Sequence, residues 1–328
     1  MRVAVLDDYQ GVAMMMGHWD ILPSSVKVSA FQDHLVEEDA LVDRLSDFDV
    51  LVCMRERTPF PKTLLERLSK LKLLITTSMW NASFDVEAAT ELGIMVAGTE
   101  GSSDTTGELT WGLLLALTRH IVHEDSATRA GQWQTTIGTG LRGKTLGLLG
   151  LGRIGSEVAR FAHAFHMPTI AWSQNLTPQR ATECGVSLVT KEELFLKADV
   201  VSIHLRLSER THGLVTAREL GLMKPTAYLI NTSRGPIVDE AALVDVLERK
   251  AIAGAALDVF DREPLPLDHP LRRLENTVIT PHLGYVTKEN YQTMYSHAVE
   301  DIMAFMSRKP IRTLNPAVLQ RPNLRHPD

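Results

Sequence analysis

The chain has 328 residues, 44% of them hydrophobic and 23% charged, with a formal net charge of −6. Such a length accommodates two domains or one large core, and the mild acidity, with no Lys/Arg block, argues against a nucleic-acid partner. Only two cysteines occur, Cys53 and Cys184, which excludes a disulfide framework or a cysteine-rich zinc site and fits a reducing compartment.

The apolar start at residues 3–6 stops at Asp7-Asp8, far short of a signal-peptide core. No uncharged apolar stretch reaches the ~18 residues of a membrane span. The expectation is a cytoplasmic protein with no membrane partner. Short β-rich runs at 3–6, 26–31, 50–54, 73–77 and 94–96 then alternate with amphipathic stretches at 37–45, 62–68 and 86–92. That alternation predicts a parallel sheet with helices on both faces. The Met14-Met15-Met16 run is expected to fill irregular apolar space. A Leu-rich stretch at 108–121 predicts one long helix with most of its surface buried.

A second alternating series begins at Lys144, with strands predicted at 145–149, 169–172, 200–205, 227–231, 255–259 and 277–280. Residues 153–166 and 240–249 read as helices between them, and 288–306 as a helix after the strand signal fades at Pro281. The expected fold class is α/β, two doubly wound parallel-sheet domains with a cleft between them.

The strand at 145–149 runs directly into Gly150-Leu151-Gly152-Arg153-Ile154-Gly155. This is G-x-G-x-x-G with a strand before it and a helix after it. Gly150 permits the tight turn, Gly152 lets a pyrophosphate approach the backbone, and Gly155 lets the helix pack closely on the sheet. Free amides and the helix dipole favour an anion there, with Arg153 and Ile154 beside it. NAD-specific sites carry an acid about 20 positions further on. Here no Asp or Glu lies between Glu157 and Glu183, and Ser173 stands in the acid's place. The cofactor expected is NAD or NADP, with NADP tolerated or preferred and Arg180 a candidate partner for its 2'-phosphate.

Downstream lie the groups that reduction of a 2-oxo acid requires. Asn231-Thr232-Ser233-Arg234-Gly235 sets an arginine just beyond a strand, where its planar fork can hold a carboxylate and a carbonyl oxygen together. Thr280-Pro281-His282-Leu283-Gly284 supplies a histidine, able to donate a proton in reduction and accept one in oxidation. Glu263, followed by Pro264, can hydrogen-bond the far imidazole nitrogen and so fix the tautomer and tune the ring. His120/His123 and His163/His166 share a three-residue spacing but lack a third ligand, so no metal is expected.

With these motifs the chain resembles the D-isomer-specific 2-hydroxyacid dehydrogenase family along nearly its whole length, most specifically at 150–155, 231–239, 253–264 and 281–284. The resemblance implies a hydride transfer between NAD(P)H and a small 2-oxo or 2-hydroxy acid. Arg234 would orient substrate, His282 would be the acid/base and Glu263 its partner. His204, Thr232, Ser233, Asp258 and Gly284 would join the glycine loop and Ser173 around the cofactor, with bracing of the following loop the lesser alternative for Asp258. It also implies a homodimer, with the 108–121 helix near the interface. A Rossmann cofactor domain, 104–287, would be inserted in a flavodoxin-like substrate domain made of 1–103 and 288–328. The Pro-rich stretch after Leu314 is expected to lie along the surface.

The family's carboxylate-binding loop corresponds to Ser78, Met79 and Trp80. A serine stands at 78 where glycine is common, and Trp80 adds bulk at the substrate mouth. Glyoxylate, hydroxypyruvate, pyruvate and larger oxo acids all satisfy the constellation, and no clear extra basic cluster in the front domain recommends a phosphorylated one. The alternative is a nucleotide-sensing regulator that keeps the fold, against which the intact Arg–Glu–His set argues. Formate oxidation is disfavoured by Glu263, where an amide is typical.

Overall fold

A computed structural model describes residues 1–102 and 104–327; the expected domain edge at residue 103 and the last residue fall outside them. The chain divides into two compact units, residues 1–102 with 287–328, and residues 103–286.

The first unit is built on five parallel strands: β1 (Arg2–Val5), β2 (Lys27–Ala30), β3 (Val50–Cys53), β4 (Leu73–Thr76) and β5 (Met95–Gly98), in the order β2-β1-β3-β4-β5. Every residue of β3, β4 and β5 is buried. Strands covered on both faces are apolar without alternation, which is why these appear in the sequence as continuous runs. The helices Glu38–Leu45 and Lys62–Arg67 turn Leu41, Leu45, Leu64 and Leu65 onto Leu51, Leu74 and Phe84.

The second unit carries seven parallel strands: β6 (Leu146–Leu149), β7 (Thr169–Trp172), β8 (Ser187–Leu188), β9 (Val200–Ile203), β10 (Tyr228–Asn231), β11 (Gly254–Leu257) and β12 (Thr277–Ile279). Their order is β12-β11-β10-β9-β6-β7-β8. The chain leaves β6 toward β7 on one side and returns to β9 on the other, so the strand order reverses at β6/β9. Ligands of open α/β sheets bind outside the carboxyl ends of the strands at such a point. Two apolar clusters cover the two faces, one around Leu149, Val201, Leu229 and Leu257, the other around Leu148, Val200, Ile230 and Ala256.

Some local expectations change. The helix predicted at 108–121 runs instead over Asp104–Thr118, and His120, at φ 51°, separates it from a second helix, Ile121–Arg129. Left-handed backbone at a non-glycine residue ends a helix, and no apolar periodicity announces it. The two-residue edge strand β8 is too short and too exposed to show a pattern. Met14 and Met15 do not fill a core: their four-residue helix leaves both exposed. The stretch after Leu314 lies along the surface, as expected, and is anchored there. Asn315 is buried, accepting from the Val96 amide at 2.8 Å and donating to the Ile94 carbonyl at 2.9 Å. Val318 is fully buried, and Arg325 donates to the carbonyls of Leu68, Ser69 and Leu71. Side-chain and guanidinium hydrogen bonds hold this segment where composition suggested only a tail. Among the described residues no helix is long and apolar enough to cross a membrane.

Candidate active site

The glycine loop caps the carboxyl end of β6, the strand at which the order reverses. Gly150 sits at φ 106°, its amide donating to the Trp172 carbonyl at 2.8 Å. A Cβ on Gly155 would lie 2.2 Å from the Gly150 carbonyl oxygen, so the helix Arg153–Ala164 passes the loop at a distance only glycine allows. Gly152 differs: a Cβ there would meet nothing within 4 Å. Its glycine is not required by the protein's own packing, and the helix it precedes has no side-chain cap, leaving the first amides and the open space to an anion. The residues present therefore fit a dinucleotide's pyrophosphate. Gly152→Ala is expected to leave the melting temperature within a degree or two while weakening cofactor binding roughly tenfold or more. Gly155→Ala is expected to lower the melting temperature by several degrees, as backbone is forced apart. Thermal unfolding and cofactor titration of both variants separate the two roles.

Ser173 follows β7 directly, beside the loop, and its carbonyl accepts from the Leu176 amide at 3.1 Å. Arg153 and Arg180 line one cavity on the outer side of this region. His204 follows β9, its amide donating to the Leu149 carbonyl at 2.8 Å and its Nε2 lying 2.9 Å from Ser202 Oγ. Desolvation pushes His204 down to about 4 from its ordinary 6.5. The unfolded chain then binds a proton between these values that the folded chain does not. Stability is complete above about pH 6.5 and declines as pH falls toward 4. His204→Gln is expected to flatten that part of the pH–melting-temperature curve relative to the parent chain.

The proton-transfer candidates meet at the ends of β10, β11 and β12. His282 Nδ1 lies 2.6 Å from Glu263 Oε2, and Glu263 Oε1 accepts the Phe260 amide at 3.1 Å. A carboxylate held at both oxygens fixes the ring: Nδ1 carries the hydrogen, and Nε2 is left to face a reactant. The Tyr285 ring packs edge-on against the imidazole at 5.6 Å between centroids. His282 itself is left-handed, φ 58°, a conformation that costs a non-glycine residue energy.

Asp258 holds that turn. Fully buried at the end of β11, it accepts from Thr280 Oγ1 at 2.6 Å, the Leu283 amide at 2.7 Å and the Gly284 amide at 2.9 Å. Desolvation raises its carboxyl from the ordinary value, and these hydrogen bonds oppose the rise. Gly284 is fixed from its other side, its carbonyl accepting from Thr105 and Thr106 hydroxyls at 2.8 and 3.0 Å.

Arg234 is set by the turn after β10. Asn231 donates to the Arg234 carbonyl at 3.0 Å and accepts the Ser233 amide at 3.0 Å, while Ser233 Oγ donates to the Leu205 carbonyl. Arg234 Nη1 donates to the Ser233 carbonyl at 2.8 Å, which holds the guanidinium against the turn. Thr110 gives its hydroxyl hydrogen to Thr106, so Thr232 Oγ1, 2.7 Å away, donates to Thr110.

In the first unit, Ser78 does not take up left-handed backbone, so a serine is accommodated without that cost. Its hydroxyl donates to the Trp80 carbonyl, and Asn81 braces the loop from Thr76 and the Arg55 carbonyl at 2.9 and 2.7 Å. Met79 and Trp80 are exposed at 47% and 53%, the side chains this loop presents outward. Arg55 and Arg57 follow β3, and Arg57 stacks on the Tyr9 ring, which follows β1, at 4.8 Å. The order reverses at β1/β3, so these arginines occupy this sheet's own switch point.

A seven-stranded sheet of this order with a glycine loop at its switch point defines a dinucleotide-binding protein. Residues 111–284 match the family model described as "D-isomer specific 2-hydroxyacid dehydrogenase, NAD binding domain". A glyoxylate reductase of Aeropyrum pernix is 41% identical over 256 residues, 75% of this chain and 76% of that protein. A D-3-phosphoglycerate dehydrogenase of Bacillus subtilis is 36% identical over 272 residues, 82% of this chain but 51% of that longer protein. The crystal structure of a phosphoglycerate oxidoreductase from Vibrio cholerae o395 superposes with a TM-score of 0.90 at 39% identity, covering 94% of this chain and 99% of that one. The chain belongs to the D-isomer-specific 2-hydroxyacid dehydrogenase family, oxidoreductases that use a nicotinamide cofactor.

Proposed function

We propose that the protein reduces a short 2-oxo acid of the glyoxylate type to its D-2-hydroxy acid, or the reverse, with NADP accepted at least as well as NAD. The observation that carries this reading is the His282–Glu263 pair at 2.6 Å, on strand ends of the sheet that bears the glycine loop. Reduced nicotinamide, when bound, supplies the hydride. Gly150, Gly152, Arg153, Ile154 and Gly155 hold the pyrophosphate, Ser173 the adenosine ribose, and His204, Thr232, Ser233 and Gly284 the nicotinamide side, where Asp258 holds the Gly284 turn. Arg234 binds the carboxylate and carbonyl oxygen of the substrate, and Ser78, Met79 and Trp80 correspond to the family's substrate-binding loop. His282 delivers its Nε2 proton to the developing alkoxide, and Glu263 keeps Nδ1 protonated and the ring oriented. The enzyme is read as a cytoplasmic homodimer; Trp133 and Ile137, 78% and 94% exposed on the second unit, support a surface covered by a second copy.

A second reading is favoured by Arg55 and Arg57: a 2-hydroxy acid carrying another anionic group, as the name of the Bacillus subtilis relative indicates for that protein. One assay separates the two. Purified protein is given NADH or NADPH and a panel of 2-oxo acids, and loss of reduced-nicotinamide absorbance is followed. Turnover of glyoxylate, with NADPH at least equal to NADH, is the expected result. Preference for a phosphorylated or dicarboxylic oxo acid moves the assignment to the second reading. Faster turnover with NADH at matched concentration overturns the cofactor assignment.

A further inference from the structure

A cavity of about 280 Å³ opens within the second unit, between the helices Arg153–Ala164 and Pro178–Glu183 and the start of Asp104–Thr118. Three guanidiniums line it, from Arg153, Arg160 and Arg180, and three carboxyl groups, from Asp104, Glu157 and Glu183. Positive and negative charges therefore balance. A bare dianion such as phosphate would meet the carboxylates as well as the arginines, whereas a ligand that carries both charges, separated, satisfies both sets.

The orientation follows from Glu157. It is 9% exposed, and its Oε2, which lies over Gly107, has no hydrogen-bond partner. With that oxygen left without a donor, the Glu157 charge is compensated only by what approaches the carboxyl from the cavity it lines. Burial and the nearby Asp104 raise the Glu157 carboxyl from its ordinary value while Arg160 pulls it back, an imbalance that a cation beside the carboxyl in the cavity would correct. Arg160 enters no ion pair among the described residues, and Arg180 reaches Glu183 only at 3.8 Å. Both forks are available to a carboxylate at the rim.

We infer that this cavity binds a small zwitterion of the α-amino-acid class, its ammonium on Glu157 and its carboxylate on Arg160 and Arg180. The site is separate from the acid/base pair but shares Arg153, and the candidate 2'-phosphate partner Arg180, with the cofactor reading, so its test needs no turnover and includes the cofactor as a competitor.

Cys184 lines the same cavity, while the only other thiol, Cys53, is fully buried and its pKa is raised by that burial. The rate at which a chromogenic thiol reagent labels Cys184 thus reports occupancy. The full-length protein is labelled alone, then with neutral, acidic and basic α-amino acids, with the 2-oxo acids of the same skeletons, with inorganic phosphate, and with NAD or NADP. At about ten times its Kd a bound ligand slows labelling roughly tenfold, since only the free protein reacts. Protection by at least one amino acid, and not by its oxo acid or by phosphate, is the expected result. It should be lost in Arg160→Ala, an exposed position whose replacement leaves the core intact, and in Glu157→Gln. Protection by NADP or phosphate without the amino acids would make the cavity an anion subsite and overturn the inference. So would the absence of protection by any amino acid, or protection that survives Arg160→Ala.

Discussion

Replacing His282 by asparagine is expected to lower kcat by roughly 10²–10⁴, the range general acid–base catalysis contributes, with cofactor affinity unchanged within about twofold. Asparagine is the informative substitution because His282 is left-handed at φ 58°, and among non-glycine residues Asn tolerates that backbone well. The turn, held by Asp258 through the Leu283 and Gly284 amides, then stays in place. What is removed is the proton carried at Nε2 and the ring that Glu263 orients. Steady-state kinetics and a cofactor titration on the same preparation check both halves. Turnover within about threefold of the parent chain would remove His282 from the chemistry, because such a change is below what general acid–base catalysis supplies.

Arg234→Lys is expected to reduce kcat/KM for the preferred oxo acid by about 30- to 1,000-fold, the loss of roughly 2–4 kcal/mol in charge-assisted hydrogen bonds. The lysine keeps the charge and loses the fork. One ammonium cannot span a carboxylate and a carbonyl oxygen in the way a planar guanidinium does. Because Arg234 Nη1 also donates to the Ser233 carbonyl, the lysine is held less firmly against the turn, adding to the effect. Both kcat and KM should move, since the fork is proposed to grip the ground-state carboxylate and the oxygen on which charge develops. A lysine variant with parental kcat/KM would show that the arginine serves the turn and not the substrate. The melting temperature distinguishes a collapsed turn from a lost contact.

Much of this molecule was legible along the chain because its signals are local. The strands β3 to β6 and β9 to β11 read as apolar runs because a strand buried on both faces needs no alternation. The structural setting of the glycine loop was legible because a strand, a tight turn and a helix start lie within ten residues. Elements without a local signature were lost: the edge strand β8, the break at His120, and the anchoring of Asn315 and Arg325. Arg57 was passed over for a different reason, since a lone arginine is unremarkable until the strand order sets it beside Tyr9.

By itself, then, the amino-acid sequence determined the class of fold, the strand, turn and helix that carry the glycine loop, and the candidate residues proposed for the chemistry. Those depend on periodicity and on neighbours a few positions apart. Tertiary structure alone decided that Glu263 reaches His282 across 19 positions, and that Asp258 grips a turn 25 and 26 positions away. It also placed Glu157 in a cavity whose other charges come from three helices. Contacts of that range are set by the register of β10, β11 and β12 and by which helix faces meet. No local pattern encodes them, because their free energy belongs to the packed sheet and not to any one segment.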